Sequence, residues 1–570
     1  MISPISGNLI TQKINVLNNT TNNTSKITPF EQNPTTNILT QYMQNQAKIN
    51  APIVQNTQTP QKPYKNDLKT LFTTNNAKIL AILLRTFNSK DTNGNEYIDK
   101  YEQNGTFLNA IERLDEIKSQ GFNTLHLLPI NETGKENAFG TAGSVYSPKD
   151  LLKIDPMLVD KKDPRSDKEQ FKAFVDECHK RGLRVMVDMP SCASYTLYQN
   201  RPELMAIENG IAKTPGGWED IKMFQPWDDE GKRTLNPELL EYHRQFVDML
   251  IDAGVDGIRA DVARTKPVEF WDIIIPYSHK RDPQFAWLAE SYTYEDASPQ
   301  ANMPYDRPED SLRAGFDAYY GQYHIFHEWP NAKTLHNYVV DNLNLSYRVD
   351  NGKSLIGSFA THDDISPMFH GGEIYCNLTS GLQATLPMMN PYFVDGFQYG
   401  DKYLYSYANT DSDFTYTNTL NRKVHDAKLD IFNLSRRPKG EHPEIGKFMT
   451  ECLKFRDDYA EVLRRGSYII LNKEKDPQDQ IIAFARHRHG RTLLVIANKD
   501  VNHSIACKIK VPTLKETQNL KNLLPSYGEK SKFQVSAGQV SAAIGPGRIH
   551  VFEIDTPNIE VYSDNVYKQH

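Results

Sequence analysis

The sequence predicts an α/β protein: a (β/α)8 TIM barrel with an inserted loop domain after strand 3 and a C-terminal antiparallel β-sandwich domain. From Lys78 onward, apolar runs of strand length alternate with longer helical patterns. This alternation indicates a parallel sheet buried on both faces. Residues from about 190 to 236 interrupt it, and only short strand-like runs follow residue 463. These three observations predict the barrel, its insertion and the second domain.

The repeating unit is clearest in the first half of the barrel. Helices are predicted at about 106–120, at about 166–181 and over PELLEYHRQFVDMLIDAG, between the strand-like runs AKILAILLRTF, FNTLHLLPI, LRVMVDMP and VDGIRAD. Gly182 and Gly254 follow two of these helices, as expected where a helix ends on a left-handed residue. Further strands are predicted at AWLAE, SLIGSFA and GLQATLPM, so the repetition favours a closed barrel over an open sheet.

The chain is predicted to have three parts. Residues 1–72 are rich in Asn, Thr and Gln with few aromatics, so they are expected to form a disordered leader that cannot offset its ordering entropy. The barrel is predicted over 73–462, and its inserted segment 190–236 would lie at the C-terminal face, where barrels of this kind place their functional sites. Residues 463–560 contain five short apolar strands and are predicted to form the β-sandwich.

Composition excludes several classes of protein. The chain has 65 basic and 71 acidic residues and no long Lys/Arg run, so nucleic acid is not an expected partner. No apolar stretch reaches about 18 residues, so no association with a membrane is expected. The first residues lack a charged leader followed by an apolar core, which predicts no secretory signal and a cytoplasmic location. The five scattered cysteines are expected to be reduced thiols. No protein partner is indicated.

Three acidic residues follow apolar strands. Asp261 follows GVDGIRA, Glu290 follows AWLA and Asp363 follows SLIGSFATH. Since the C-terminal ends of parallel barrel strands converge on one mouth, the three carboxylates are expected to meet there. A single acidic residue at such a place is more simply explained as a helix cap. Three together fit the two-carboxylate chemistry of retaining glycoside cleavage, with a third to hold the substrate.

The neighbours of these carboxylates resemble a known family. The segments GVDGIRADVART, FAWLAES and SFATHDD resemble the second, third and fourth signature segments of the α-amylase family, and the likeness extends over roughly residues 75–560. The resemblance implies that Asp261 is the nucleophile, Glu290 the general acid/base and Asp363 the transition-state stabiliser. The THDD segment leaves Asp363 and Asp364 open as the stabiliser, and the His-Asp pairing favours Asp363.

The same resemblance implies residues that bind substrate. His362 fits the family's histidine that contacts sugar hydroxyls, and Arg264 lies where the family often has a lysine at an acceptor subsite. The segment SVYSPKDLLKI resembles the family stretch with a sugar-stacking tyrosine, which identifies Tyr146. Arg259 lies two residues before Asp261, on the same strand face, where it would keep Asp261 ionised.

The implied activity is hydrolysis or transfer of α-glucosidic bonds with retention, on an α-1,4-glucan or malto-oligosaccharide. Glu290 would protonate the leaving oxygen while Asp261 attacks the anomeric carbon, and the β-glycosyl-enzyme would then react with water or with a sugar hydroxyl. Asp261, beside Arg259, is expected to have the lower pKa of the pair, and Glu290 the higher pKa.

A calcium site is predicted in the segment DTNGNEYID. Its oxygen donors are Asp91, Asn93, Asn95 and Asp99, with the carbonyl of Tyr97. Alternate-residue oxygen donors on a tight loop suit Ca²⁺, and the segment resembles the first-loop calcium site of oligosaccharide-cleaving members of the family. An EF-hand is disfavoured because Glu96 replaces its sixth-position glycine. The alternative is a solvated Asn/Gly turn.

The chain departs from the family in its first signature segment, VDMPSCAS. Cys192 and Ala193 occupy the places of the family's Asn and His, which puts one substrate contact and an inter-domain calcium site in doubt. The same histidine is absent from the branch that transfers maltosyl units from maltose 1-phosphate. That branch has an Asn directly after the nucleophile, where this chain has Val262. Maltosyl transfer and a catalytically inactive glucan-binding barrel therefore remain alternatives, with a purely structural protein third.

Overall fold

The computed structural model describes most of the chain beyond residue 63. The described residues are 64–90, 92–93, 101–138, 143–215, 220–292, 308–321, 329, 331–349, 352–357, 359, 361–363, 366–401, 442–473, 479–516, 519–527 and 533–569.

Eight parallel strands close into a barrel whose order around the ring follows the order in the chain. The last strand returns to the first through the parallel pair of Ile79 with Tyr392. The barrel strands are β1 (Ile79–Ile82), β2 (Thr124–Leu127), β3 (Arg184–Met189), β4 (Gly257–Ala260), β5 (Ala286–Tyr292), β6 (Ala318–Gly321), β7 (Ser354–Gly357) and β8 (Met389–Val394). The predicted closed barrel is confirmed.

Helices alternate with these strands along the chain. They are α1 (Leu68–Thr73), α2 (Leu84–Phe87), α3 (Phe107–Ala110), α4 (Leu114–Ser119), α5 (Asp167–Lys180), α6 (Tyr195–Asn200), α7 (Pro237–Asp252), α8 (Val268–Arg281), α9 (Pro308–Ala314), α10 (Ala332–Arg348), α11 (Met368–Thr385), α12 (Pro443–Asp458) and α13 (Ala460–Arg465). Gly182 and Gly254, after α5 and α7, have φ of 67° and 88°, which confirms the expected left-handed ends. Among the described residues, no helix is long and apolar enough to cross a membrane.

The barrel begins earlier than the sequence predicts. Leu68, Leu71 and Phe72 of α1 are buried in the cluster that fills the barrel interior, together with Ile79 and Met186. The leader predicted over residues 1–72 therefore ends too late, since residues 64–72 belong to the same compact unit as the barrel. One turn and a half of helix is too short to produce a recognisable helical period in the sequence.

The strand predicted at GLQATLPM is also wrong. Residues 381–385 lie on α11, and the eighth strand follows at Met389–Val394. This helix is buried along residues 375–385, and the side chain of its Gln383 accepts a hydrogen bond from the Tyr392 N–H at 2.7 Å. Because this part of α11 has no solvent-facing side, its residues show no helical period.

The inserted segment after β3 contains the short helix α6 and several short antiparallel pairs, so it does not continue the barrel. Their bounds are Cys192–Ser194 with Ile221–Met223, Ile207–Glu208 with Ile211–Ala212, and Trp227–Asp229 with Thr234–Leu235. A further pair, Asn131–Thr133 with Pro148–Ile154, follows β2.

The C-terminal part consists of two antiparallel sheets around a shared apolar cluster. Its strands are β9 (Ser467–Ile470), β10 (Ile481–Arg488), β11 (Arg491–Asn498), β12 (Ile505–Lys510), β13 (Gln534–Ser536), β14 (Gln539–Ile544), β15 (Ile549–Ile554) and β16 (Val566–Tyr567). One sheet has the order β15-β11-β10-β9-β16 and the other β12-β14-β13. The predicted antiparallel sandwich is confirmed, and β16 extends it beyond residue 560.

Candidate active site

Arg259, on β4, is the centre of a carboxylate cluster at the C-terminal mouth of the barrel. Its side chain is 1% exposed. Nη1 lies 2.9 Å from Oδ1 of Asp188 and 2.8 Å from Oδ1 of Asp261. Nη2 lies 2.7 Å from Oε2 of Glu290 and 3.7 Å from Oδ2 of Asp363. Four carboxylates from different parts of the chain therefore share one buried cation. Three of them, Asp261, Glu290 and Asp363, are those that the sequence predicts to meet at this mouth.

Asp261 is held through both of its oxygens. Oδ1 contacts Arg259, and Oδ2 accepts hydrogen bonds from the backbone N–H of Ser191 at 2.9 Å and from its hydroxyl at 2.6 Å. Burial raises the pKa of Asp261 to about 7, against the opposing effect of Arg259, while Glu290 and Asp188 add to the rise. The sequence predicts the lower pKa of the pair for Asp261 from Arg259 alone, whereas burial and the two other carboxylates raise this pKa; the order within the pair stays a prediction.

Glu290 lies near the end of β5 and faces the residue after Asp261. Its Oε2 accepts a hydrogen bond from the Val262 N–H at 2.7 Å, in addition to the contact with Arg259. Val262 has φ of 34° and ψ of 62°, a left-handed conformation that is unfavourable for a β-branched residue. The strained backbone turns this N–H toward Glu290, so the conformation of residue 262 fixes one donor to that carboxylate.

A ring of polar side chains lies beside Arg259. The Tyr146 hydroxyl donates to Oδ2 of Asp188 at 2.8 Å and lies 2.7 Å from Nε2 of His362. Nδ1 of His362 lies 3.3 Å from the Tyr392 hydroxyl, and Nδ1 of His126 lies 3.0 Å from it. Nε2 of His126 lies 3.3 Å from Oδ2 of Asp188, which closes the ring. The sequence-predicted residues Tyr146 and His362 are thus brought together with three others.

The charges in this ring follow from its surroundings. Burial raises the pKa of Asp188, but Arg259 and His126 outweigh it and bring that pKa down to about 2. Burial lowers the pKa of both His126 and His362, so both imidazoles are neutral at pH 7. Nε2 of His362 also lies 3.3 Å from Oδ2 of Asp363, which joins the third predicted carboxylate to the ring. Asp364 lies outside the described residues.

Sequence reasoning missed His126, Tyr320 and Tyr392 in the site. All three lie on barrel strands with their side chains fully buried, and the Tyr320 hydroxyl accepts a hydrogen bond from Arg259 Nε at 3.2 Å. The available signal was a residue able to hydrogen-bond within an otherwise apolar strand, such as His126 in TLHL. Asp188, in the segment VDMPSCAS, is also a direct partner of Arg259.

The departures from the family pattern are packed into the inserted segment. Cys192 and Ala193 lie on the short strand Cys192–Ser194, and Cys192 is buried among Ala206, Ile221 and Met223. Burial raises the pKa of the Cys192 thiol to about 12, so it remains protonated. Arg264 lies in the single turn Ala263–Thr265, three residues after Asp261, and is 8% exposed.

The predicted calcium loop lies largely outside the described residues, which exclude Asp91, Asn95, Tyr97 and Asp99. Asn93 is described, and its backbone N–H donates to Oε1 of Glu102 at 3.3 Å. The calcium site therefore stays a prediction.

In sequence, this chain is similar to enzymes that act on glucans. An α-1,4-glucan:maltose-1-phosphate maltosyltransferase from Cereibacter sphaeroides is 27% identical over 306 residues, which are 50% of this chain and 42% of that protein. The protein of the same name from Bifidobacterium animalis subsp. lactis is 25% identical over 431 residues, 70% of this chain and 52% of that protein. A cyclomaltodextrinase from a Bacillus species is 26% identical over 183 residues, 29% of this chain and 30% of that enzyme. The chain thus spans about half of the length of the first of these relatives. No protein-family model matches it.

Solved structures share the fold of the barrel and the C-terminal domain. A noncanonic maltogenic α-amylase from Thermotoga neapolitana has a TM-score of 0.61 at 22% identity, covering 85% of this chain and 99% of its own. An α-amylase from Lactobacillus plantarum has a TM-score of 0.60 at 21% identity, with the same coverage of both chains. These likenesses establish the fold alone.

Proposed function

We propose, on the premise that this chain is an enzyme of the α-amylase type, that it breaks α-1,4-glucosidic bonds in glucans or malto-oligosaccharides with retention. The observation that carries the proposal is the contact of Asp261 and Glu290 with the two terminal nitrogens of one arginine, Arg259. Retaining cleavage needs two carboxyl groups about 5 Å apart, one to attack and one to protonate. The shared guanidinium supports the proposal because it brings both carboxylates to the same side chain.

Asp261 is the nucleophile in this proposal because its place directly after β4 is held from both sides. When ionised it attacks the anomeric carbon and forms a β-glycosyl-enzyme. Glu290, on the next strand, protonates the leaving glycosidic oxygen and then takes a proton from the incoming water or sugar hydroxyl. Asp363 and His362 lie 3.3 Å apart at the end of the barrel mouth and are proposed to bind the hydroxyls of the same sugar. Tyr146 is proposed as its stacking surface.

The test is a product analysis with maltoheptaose, with and without inorganic phosphate. The intact protein should give shorter maltosaccharides, with longer ones as well if sugars compete with water as acceptor. The first product should have the α configuration by proton NMR. Asp261→Asn should lower the rate on the order of a thousandfold or more, about 4 kcal/mol of activation free energy. Asp176→Asn, the same change on an exposed helix, is the matched control and should leave the rate unchanged.

A second candidate is transfer of maltosyl units from maltose 1-phosphate. It is favoured by the names of the relatives from Cereibacter sphaeroides and Bifidobacterium animalis. Against it, the residue after the nucleophile is Val262, whose side chain offers no hydrogen bond to a phosphate. Turnover of maltose 1-phosphate with release of phosphate would support this candidate. Glucan binding without turnover of either substrate would support the inactive barrel.

A further inference from the structure

Ser191 contacts the proposed nucleophile from the side that Arg259 leaves open. It follows β3 and directly precedes Cys192. Its N–H and hydroxyl both donate to Oδ2 of Asp261, at 2.9 and 2.6 Å, while Arg259 occupies Oδ1. A carboxylate held through both oxygens by three donors cannot rotate about its terminal bond without losing hydrogen bonds to charged or buried groups.

Lys266 holds Ser191 in turn. Its side chain is buried, and Nζ donates to the Ser191 carbonyl at 2.9 Å and lies 5.2 Å from the centre of the Phe224 ring. Lys266 lies five residues after Asp261, at the end of the turn Ala263–Thr265. The segment from Asp261 to Lys266 therefore forms a closed loop with Ser191.

Burying an ammonium group is unfavourable, and the surroundings of Lys266 reflect that cost. Burial lowers the pKa of Lys266 to about 8, against the opposing effects of Cys192 and Asp261. Among the described residues, His243 also faces Lys266; burial lowers its pKa to about 3, so it carries no charge at pH 7. Since the Cys192 thiol is protonated, the negative charge that favours the ammonium form of Lys266 is that of ionised Asp261.

We propose that Ser191 and Lys266 are positioning residues for Asp261. The buried ammonium of Lys266 holds the Ser191 peptide in place, and the N–H and hydroxyl of Ser191 in turn orient Oδ2 of the nucleophile. This inference rests on the proposed function for the role of Asp261. Among the described residues, the ionisable groups that interact with Asp261 are Arg259 on β4, Asp188 on β3, Glu290 on β5, Lys266, the Cys192 thiol and the Tyr146 hydroxyl, and Ser191 adds its two uncharged donors.

The kinetic test compares Ser191→Ala, Ser191→Thr and Lys266→Met with the intact protein on maltoheptaose. Ser191→Ala removes the hydroxyl donor, so kcat should fall about ten- to a hundredfold with KM changed by less than about threefold. The acid limb of kcat/KM should move to higher pH, because a lost donor raises the pKa of Asp261. Lys266→Met should shift kcat and the limb in the same directions. Ser191→Thr retains a hydroxyl and should restore most of the rate.

Ser380→Ala is the matched control. This serine is equally buried, and its hydroxyl donates to the Cys376 carbonyl at 2.9 Å on α11, so its loss removes one buried hydroxyl away from the site. Its kinetics should match those of the intact protein. An unchanged acid limb and kcat in both Ser191→Ala and Lys266→Met would overturn the proposal.

A crystal structure of Ser191→Ala provides a readout that does not need activity. The Asp261 carboxylate should rotate or shift by about 1 Å, a displacement large enough to matter for catalysis. If the intact protein has no turnover, the proposed function fails, and this displacement alone decides whether Ser191 positions Asp261. An Asp261 carboxylate that keeps its place in Ser191→Ala would overturn the positioning role.

Discussion

The raised pKa of Asp261 predicts that this one carboxylate makes the folded protein less stable as the pH rises. Burial raises its pKa from 3.8 to about 7, so the folded chain binds this proton more tightly than the unfolded chain does. Stability from the protonated form is then complete below about pH 4 and is lost progressively up to about pH 7. The difference between the two pKa values corresponds to about 4 kcal/mol in the free energy of unfolding.

The variant Asp261→Asn measures this effect because asparagine does not ionise. The difference in unfolding free energy, variant minus intact protein, should grow by about 1 to 2 kcal/mol between pH 4 and 5. It should reach about 4 kcal/mol at pH 8, and the new amide adds an offset that does not depend on pH. Urea-induced unfolding of both proteins at pH 4, 5, 6, 7 and 8 measures the difference.

The control for this titration is Asp176→Asn, in which the side chain is 46% exposed on α5. It reports any pH dependence that the substitution itself introduces at the surface. A difference for Asp261→Asn that is flat or that shrinks from pH 4 to pH 8 would refute the reasoning. That outcome would mean that Arg259 and Ser191 outweigh burial and hold Asp261 ionised in the folded protein.

Three further outcomes follow from the site. The kcat/KM profile with maltoheptaose should have an acid limb near pH 7. Asp188→Asn should move this limb to lower pH because the Asp188 charge raises the pKa of Asp261, and a shift to higher pH would contradict this. The free energy of unfolding should be about 1 kcal/mol higher for Val262→Gly than for Val262→Ala, because both variants lack the isopropyl group and only glycine suits φ of 34°. A higher free energy of unfolding for Val262→Ala in urea would show that the strain is absent. Tyr146→Phe should lower kcat/KM about tenfold by removing the donor to Asp188, and unchanged kinetics would show that this hydroxyl does not contribute to turnover.

The first five barrel strands could be predicted from the sequence because each is a short, largely apolar run that alternates with a longer helical pattern. Sequence reasoning missed β6, whose four residues include two tyrosines that face the barrel and its helices. It placed the eighth strand on α11, where Leu382, Ala384 and Leu386 alternate with polar residues. The polar residues Gln383 and Thr385 are buried too. The Thr385 hydroxyl donates to the Gly381 carbonyl, and the Gln383 side chain accepts a hydrogen bond from Tyr392 on β8. Alternation therefore did not indicate a strand.

The site residues that could be predicted are those that lie within a recognisable sequence motif. Arg259, Asp261, Glu290 and Asp363 come together because three strand ends converge, which the alternation of elements already implies. The ring of Tyr146, His362, His126, Tyr392 and Asp188 could not be predicted in full, since its members come from five separate segments. The pKa of Asp261 also needed the structure, because the direction depends on the balance between burial and Arg259.

The most direct test of the central claim is to trap the glycosyl-enzyme and locate it. Glu290→Gln would be incubated with α-maltosyl fluoride, whose leaving group needs no acid catalysis, and the protein mass and its peptides would then be measured. One added maltosyl unit on the peptide containing Asp261 is the expected result, since Asp261 can still attack while the base needed for release is gone. A maltosyl unit on Asp363 or any other residue, or fluoride release without an adduct at any time, would contradict the assignment of Asp261 as the nucleophile.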